Sequence, residues 1–342
     1  MKQLTISDIA KIAGVTKATV SMVINNYPRI PQTTKDRIWK IMKDMDFQPN
    51  ESARVLSFGK TEAIAFIATR FAAPFISNVL DALEQRAFYA NRYVHGLVPY
   101  STRNEQSVKE LLLKKILAGR KADAVIVLTI KPSEEMAAAY KKAGVPLVLI
   151  ENRMKNAHSI TIDNFSGAEK AAGHFIKTGR KNIGLIVGET RQPPSKDNNM
   201  PAVDRRAGFI SGLLKAGIEL PEKNIEIIHA YNYEEGKKSL DNFLAKRAGL
   251  DAIFCAAGDI VAMGLLERAN ELGIKIPDDL AIIGFDDVIA ARHLNPPLTT
   301  VRQPLDEIGV MAFDIAMDAI DGKLKKPKHV VIDPELIIRK SA

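Results

Sequence analysis

The chain contains one cysteine, one tryptophan and no apolar run long enough to cross a bilayer in its 342 residues. The lone Cys255 excludes an internal disulfide and points to a reducing compartment. Met1–Thr5 (MKQLT) leads into no apolar signal core, so the cytoplasm is the expected location, with no membrane partner. No H-E-x-x-H, G-x-S-x-G or G-x-G-x-x-G segment occurs, and the six histidines are scattered. No catalytic group, metal or cofactor is therefore expected. His174, on an amphipathic helical stretch, reads as structural. Gly59-Lys60-Thr61 resembles the tail of a phosphate loop, but the glycine required five positions earlier is Arg54. No leucine heptad follows LIIRKSA, so nothing supplies a C-terminal tetramer bundle, and a homodimer is expected.

The charge that is present is unevenly placed. Residues 1–60 hold seven Lys and three Arg against four Asp and one Glu, a balance of +5 within a total of +8. A small basic segment suits the phosphate backbone of DNA, although many solvated helical faces are equally basic. Ile6, Ile9, Ala10 and Ala13 share a helical face behind the capping pair Thr5 and Asp8, and Gly14 stands where that helix should stop. Thr16 can cap a second helix with inner residues Val20, Val23 and Ile24. A third helix after Pro31 should complete a small core with Ile38, Ile41, Met42 and Met45. Two short helices around a glycine turn make a helix-turn-helix unit. Its second helix directs Lys17, Ala18, Ser21, Met22 and Asn25 away from the core, where a reading helix meets the major groove. A plain three-helix bundle whose outer face touches nothing is the alternative.

The segments TISDIAKIAGVTKATVSMVIN and PQTTKDRIWKIMKDMDFQPNESARVLSFGKT resemble the N-terminal signature of the lactose/galactose-repressor (LacI/GalR) family. The likeness continues through DNFSGAEKAAGHFIKTGRKNIGLI, GDIVAMGLLERANELGIKIPDDLAIIGFDD and LTTVRQPLDEIG, covering residues 3–340. It implies a DNA-binding transcription regulator, most simply a repressor, whose grip on an approximately palindromic operator is controlled by a small-molecule effector. It extends the DNA contact set to Thr5, Thr16 and Thr19 in the head and to Asn50, Ala53, Arg54 and Leu56 in the linker. Many relatives carry Arg where this chain has Met22; Met donates no hydrogen bond and can only pack on apolar surface such as a thymine methyl. The operator preference should therefore differ from the family's commonest.

Residues 48–61 form the expected linker. Asn50 is a good N-cap, but the stretch 51–57 is only about two turns, too short to stay helical alone in water. The resemblance implies that two such segments pair in the minor groove, with Leu56 as an apolar wedge; packing of Leu56 on the core is the alternative.

From residue 62 short apolar runs alternate with amphipathic stretches. Strands are expected at 63–68, 93–98, 124–128, 147–150, 183–187, 252–255 and 281–284, with helices at 79–90, 107–117, 168–177, 203–215 and 260–272. Such alternation gives parallel sheets covered on both faces. The expected architecture is an all-α helix-turn-helix head (1–47), a linker (48–61) and an α/β core (62–342) of two doubly wound parallel-sheet lobes, like a periplasmic binding protein. The N-lobe should comprise about 62–160 with a return segment at about 292–320, and the C-lobe about 161–291 with 323–340.

Ligands of open α/β sheets sit beyond the carboxyl ends of the strands. The resemblance places Arg70, Phe71, Phe75, Arg205, Tyr231 and Asp286 in the cleft between the lobes. Arg205 would grip ligand oxygens, Tyr231 stack on a ring, and Asp286 accept hydroxyl or amine hydrogens. Phe71 and Phe75 read equally well as core, Asp287 as a helix cap, and Arg205 and Arg206 as solvent-facing. An aromatic wall with an Arg–Asp pair suits a sugar or sugar derivative, and Arg70 with Arg205 keeps a uronate or sugar phosphate in view. The segment 189–203 reads as either a lid or a surface loop. A secreted solute-binding protein or an enzyme on the same core are the rival readings.

Overall fold

The computed structural model describes residues 4–24, 27–47, 61–90, 96–189, 200–246 and 248–342. They divide into two compact units, Met1–Thr61 and Glu62–Ala342.

In the first unit, helix α1 (Ile6–Ala13) opens with the Asp8 carboxylate accepting the Thr5 backbone N–H at 3.0 Å. It closes on Gly14 in the left-handed region (φ +63°), which lets the chain reverse without a Cβ clash. Thr16 Oγ1 accepts the Thr19 N–H at 3.1 Å and starts α2 (Lys17–Ile24). Helix α3 (Gln32–Asp44) completes the bundle. Ile9, Ala10, Ala13, Val20, Val23, Ile38 and Met42 are its buried centre, with Ile24 and Ile41 at the edge. Met45, expected in this core, is instead the exposed residue that ends α3. The helix stops one residue too early for its side chain to reach inward.

The second unit holds two six-stranded sheets. Its strands are β1 (Ala63–Ala68), β2 (Gly96–Ser101), β3 (Ala124–Leu128), β4 (Leu147–Ile150), β5 (His158–Ile162), β6 (Ile183–Gly188), β7 (Ile225–Ile228), β8 (Ala252–Cys255), β9 (Ala281–Asp286), β10 (Thr299–Arg302), β11 (His329–Ile332) and β12 (Glu335–Ile337). The N-lobe sheet runs β11-β5-β4-β3-β1-β2, entirely parallel. The C-lobe sheet runs β12-β10-β9-β8-β6-β7, parallel except for the antiparallel edge strand β12. Among the described residues eight α-helices lie with them: α4 (Pro74–Tyr89), α5 (Gln106–Ala118), α6 (Glu134–Ala143), α7 (Asn164–Lys177), α8 (Met200–Leu214), α9 (Tyr233–Ala245), α10 (Asp259–Glu271) and α11 (Leu305–Ile320).

Strand pleating sorts the side chains between two cores per lobe. Ile64, Phe66 and Ala68 of β1 pack beneath α4 and α11, while Ala65 and Ile67 face the α5–α6 side. Likewise Ala252 and Phe254 of β8 join the α7–α8 core, and Ile253 and Cys255 the α9–α10 core. Being buried on both faces is why these strands are continuous apolar runs.

The lobe boundaries differ from expectation in two places. β10 belongs to the C-lobe sheet, so the return to the N-lobe begins after Arg302 rather than near 292. β11 lies beside β5 in the N-lobe sheet, with His329 opposite Ser159, although residues 323–340 were assigned to the C-lobe. A four-residue strand carries no local signal for which sheet it will join; only available edge pairing decides. The chain thus crosses between lobes three times, after β5, β10 and β11. The second strand is Gly96–Ser101 rather than 93–98, and residues 91–95 lie outside the described segments.

Candidate functional site

On α2, Thr16, Lys17, Ala18 and Met22 are exposed, while Thr19 and Ser21 are half-buried; Thr5 is exposed at the start of α1. Val20 and Val23 are fully buried, so the helix is anchored by one face and presents the other. Asn25, Asn50, Ala53, Arg54 and Leu56 lie outside the described residues, as does the stretch 190–199 of the suspected lid.

In the core, a cavity of about 470 Å³ is bordered by segments that leave the carboxyl ends of β1, β2, β3, β4, β6, β7, β8 and β9. Such convergence is the general rule for doubly wound sheets, and the volume is that of a small-molecule site. Five of its lining residues adopt positive φ without being glycine: Arg103 (+50°), Asn104 (+66°), Thr129 (+60°), Glu151 (+65°) and Asp286 (+114°). Each such conformation costs about 1–3 kcal/mol and persists only where the surroundings hold it. Their collection around one cavity marks it as the place where fold stability is given up for a shaped surface.

Arg205, from α8, is buried at the centre. Its Nε donates to Asn164 Oδ1 at 2.7 Å, Nη1 to the Ala256 carbonyl at 2.9 Å and Nη2 to Glu151 Oε1 at 3.4 Å. Its guanidinium also lies 3.7 Å above the Phe285 ring, a cation–π contact. Asp286 follows from β9 and accepts the Gln303 side-chain N–H at 2.7 Å. Behind it, buried Asp259 accepts from Thr300 Oγ1 at 2.6 Å and from the Val288 N–H at 3.0 Å. Gly258 is required here twice over. Its φ is +109°, and a Cβ would stand 2.8 Å from the Asp286 carboxylate.

Buried Glu151 and Asp259 and half-buried Asp286, gathered around one cavity, cannot all ionise cheaply. Burial pushes Glu151 up to about 7, against the opposing pull of Arg205. Burial likewise raises Asp286 to about 6, and raises Asp259 well above the usual carboxylate range, reinforced by the charge of Asp286. A raised folded-state value contributes stability that is fully present below the unfolded value and lost as pH rises through the folded one. The ligand-free protein should therefore be less stable at pH 8 than at pH 5.5, with Glu151 alone worth on the order of 2–3 kcal/mol. Thermal unfolding from pH 5 to 8 should show this slope, and Glu151→Gln should flatten it. A flat wild-type profile would contradict the burial of ionisable charge at this cavity.

Of the residues expected in the cleft, Arg70, Phe75, Arg205, Tyr231 and Asp286 line the cavity. Phe71 does not line it; half-buried, it packs on Phe66 in the N-lobe core with ring centroids 6.0 Å apart. Tyr231 approaches Gly188 so closely that a Cβ there would stand 1.7 Å from its hydroxyl. Arg206 points elsewhere, pairing with Glu222 at 3.6 Å. Asp287 is a buried ion-pair hub, held by Arg302 at 2.7 Å and Arg339 at 2.6 Å, rather than a helix cap. Glu151 was not anticipated. Its sign in the sequence is an acidic residue directly after the apolar run of a parallel strand, the same sign that singles out Asp286.

Residues 5–50 match the family described as bacterial regulatory proteins, lacI family, and residues 172–342 match the periplasmic binding protein-like domain. The HTH-type transcriptional repressor PurR of Yersinia enterocolitica is 31% identical over 341 residues, covering 98% of this chain and 96% of that protein. The PurR repressor of Escherichia fergusonii is likewise 31% identical over 341 residues, with the same coverage of both chains. This chain belongs to the LacI family. Among solved structures, a LacI-family regulator from Silicibacter pomeroyi superposes with a TM-score of 0.83 at 24% identity, covering 99% of each chain. The lac repressor dimer bound to operator and the anti-inducer ONPF gives a TM-score of 0.80 at 23% identity, again covering 99% of each chain. The CelR–cellobiose complex gives 0.71 at 25% identity, covering 99% of this chain and 100% of that one. As a LacI-family member the protein is a DNA-binding transcription repressor controlled by a small molecule, and not an enzyme. No helix among the described residues is long and apolar enough to cross a membrane.

Proposed function

We propose that this protein acts in the cytoplasm as a homodimeric repressor whose operator affinity is set by a sugar-like effector in the 470 Å³ cavity. The observation that carries this reading is the group of buried Arg205 and Glu151 with half-buried Asp286 at the meeting point of the strand ends. Carboxylates accept hydroxyl hydrogens, the buried amide of Asn152 can both donate and accept, and Phe75 and Tyr231 add aromatic rings to the lining. The similarity to CelR, solved with cellobiose, supports a carbohydrate. A thermal-shift screen of sugars, acidic sugars and nucleobases tests it, followed by operator titration with each hit. A nucleobase as the only hit would replace the sugar reading while leaving the cavity as the effector site.

Thr5, Thr16, Lys17, Ala18, Thr19, Ser21 and Met22, with Asn25 and the linker residues Asn50, Ala53, Arg54 and Leu56, are proposed to contact operator DNA. A dimer imposes two-fold related half-sites, and counterion release makes affinity fall steeply with salt. Met22 is exposed on α2. Met22→Arg should shift base preference toward guanine, because a bidentate donor gains about 1–3 kcal/mol where it meets the O6 and N7 edge. Selection from randomised operators reads this directly. Identical preferred sequences for the two proteins would show that residue 22 does not reach the bases.

A further inference from the structure

We infer that the effector is anionic at one end, carrying a phosphate or carboxylate that seats on the N-lobe wall of the cavity at Arg70 and Arg103, backed by Lys109 and Lys131. The inference rests on the reading of this cavity as the effector site and adds the charge and orientation of the ligand.

The two walls of the cavity differ in sign. On the C-lobe side stand Asp286 and, just behind it, Asp259. Arg205 does not offset them for an incoming anion. Its guanidinium nitrogens already serve Asn164, the Ala256 carbonyl and Glu151. An anion placed there would face carboxyls across a water-poor site. Hydroxyls, which donate, fit that side.

On the N-lobe side four cations come from three successive connections. Arg70 follows β1, Arg103 follows β2 with Lys109 a turn into α5, and Lys131 follows β3. Arg70 and Arg103 are exposed and border the cavity. Lys109 is buried, its ammonium donating to the Lys131 carbonyl at 2.6 Å and lying 3.8 Å from Glu110. Among the described residues, the acidic ones that border the cavity from this side are exposed Glu105 and buried Glu151, which is engaged by Arg205, so cations outnumber them.

Two backbone features point the same way. Arg103 sits at φ +50° and Asn104 at +66°, so the loop holds the arginine at a conformational cost. Helix α4, sixteen residues long with Pro74 in its first turn, opens onto the cavity at Pro74 and Phe75. The positive end of its dipole therefore faces the same space. A forked guanidinium from each of two loops is the usual way to clasp a tetrahedral or planar oxyanion. The ligand lies across the cleft, its anion at Arg70 and Arg103 and its hydroxyls toward Asp286.

The test uses the full-length protein at constant ionic strength, with inorganic phosphate, methyl phosphate and acetate as probes and chloride as the reference. Calorimetry should show saturable binding of phosphate or acetate to the wild type. Arg70→Gln/Arg103→Gln should weaken it by about tenfold or more, with unfolding temperature unchanged because both side chains are exposed. Methyl phosphate binding better than acetate identifies a phosphate monoester; the reverse identifies a carboxylate. No anion binding above chloride, or binding unaffected by the double substitution, overturns the inference. Glucose, glucose 6-phosphate and glucuronate are then titrated against the protein–operator complex. If a neutral sugar shifts operator affinity equally in wild type and double variant, the effector reading stands and the anion site falls. If anions bind through the two arginines but no cavity ligand shifts operator affinity, the anion site stands and the effector reading falls.

Discussion

Arg205→Ala is expected to abolish the response of operator binding to effector and to destabilise the core domain sharply. The side chain is buried with three hydrogen-bond partners and a ring beneath it. Removing one member of a buried ion pair commonly costs about 3–5 kcal/mol, because the other charge is left in a poor solvent. Here part of that loss is returned, since Glu151 already sits at about 7 and takes up a proton when its counter-charge goes. The variant should therefore melt well below wild type at pH 8 and recover markedly at pH 5.5. Glu151→Gln in the same background should restore much of the difference at pH 8. Effector affinity, measured by calorimetry with a ligand from the thermal-shift screen, should drop at least about a hundredfold, because the guanidinium that fixes Asn164, the Ala256 carbonyl and Glu151 around the cavity is lost. DNA binding without effector should persist, because the reading helix belongs to a separate compact unit. Wild-type effector affinity in this variant would remove the cavity from consideration.

Gly264→Ala should be the most damaging single methyl group in the C-lobe. A Cβ at Gly264 on α10 would lie 1.9 Å from the Tyr233 carbonyl, and one at Gly236 on α9 would lie 2.0 Å from the Val261 carbonyl. The two helices touch backbone to backbone at these positions, and backbone cannot swing aside as a side chain can. Overpacking of a tight core costs typically about 1–3 kcal/mol, and a forced helix separation lies at or above the top of that range. In a domain of this size that lowers the melting temperature by roughly 10 °C. Gly173→Ala on α7 is the control. Its Cβ would meet nothing within 4 Å, so helix propensity alone should leave it neutral or slightly stabilising. Equal melting temperatures for the two variants would show that the close approach of α9 and α10 relaxes freely.

The head was legible because its determinants are local. Thr5 with Asp8, Gly14 at the turn and Thr16 with Thr19 act across three or four residues, and helical period selects Ile9, Ala13, Val20 and Val23 for the inside. Strands β1, β3, β6 and β8 were equally legible, since a parallel strand covered on both faces must be apolar throughout. Short strands at the edges and crossings, such as β10 and β11, carry no comparable mark, and the expectation puts each in the wrong lobe for that reason, while α11 is in the lobe expected.

At the site, the amino-acid sequence by itself determined that Arg70, Phe75, Arg205, Tyr231 and Asp286 stand at positions able to face a cleft, because strand ends in such folds lead there. It also determined the chemistry each can offer. Only the tertiary structure decided how that chemistry is spent. Arg205 is drawn to Glu151, a residue more than fifty positions away, and so is already engaged, while Phe71 turns into the N-lobe core beside Phe66. The excess of cations on the N-lobe wall, where Glu151 is engaged by Arg205 from the C-lobe, is likewise invisible along the chain, where Arg70, Arg103, Lys131, Glu151 and Asp286 are interspersed with many other charges. Burial and pairing are properties of neighbours in space. They decide whether a charge is a free handle for a ligand or half of an internal pair, and the linear order of residues holds no record of them.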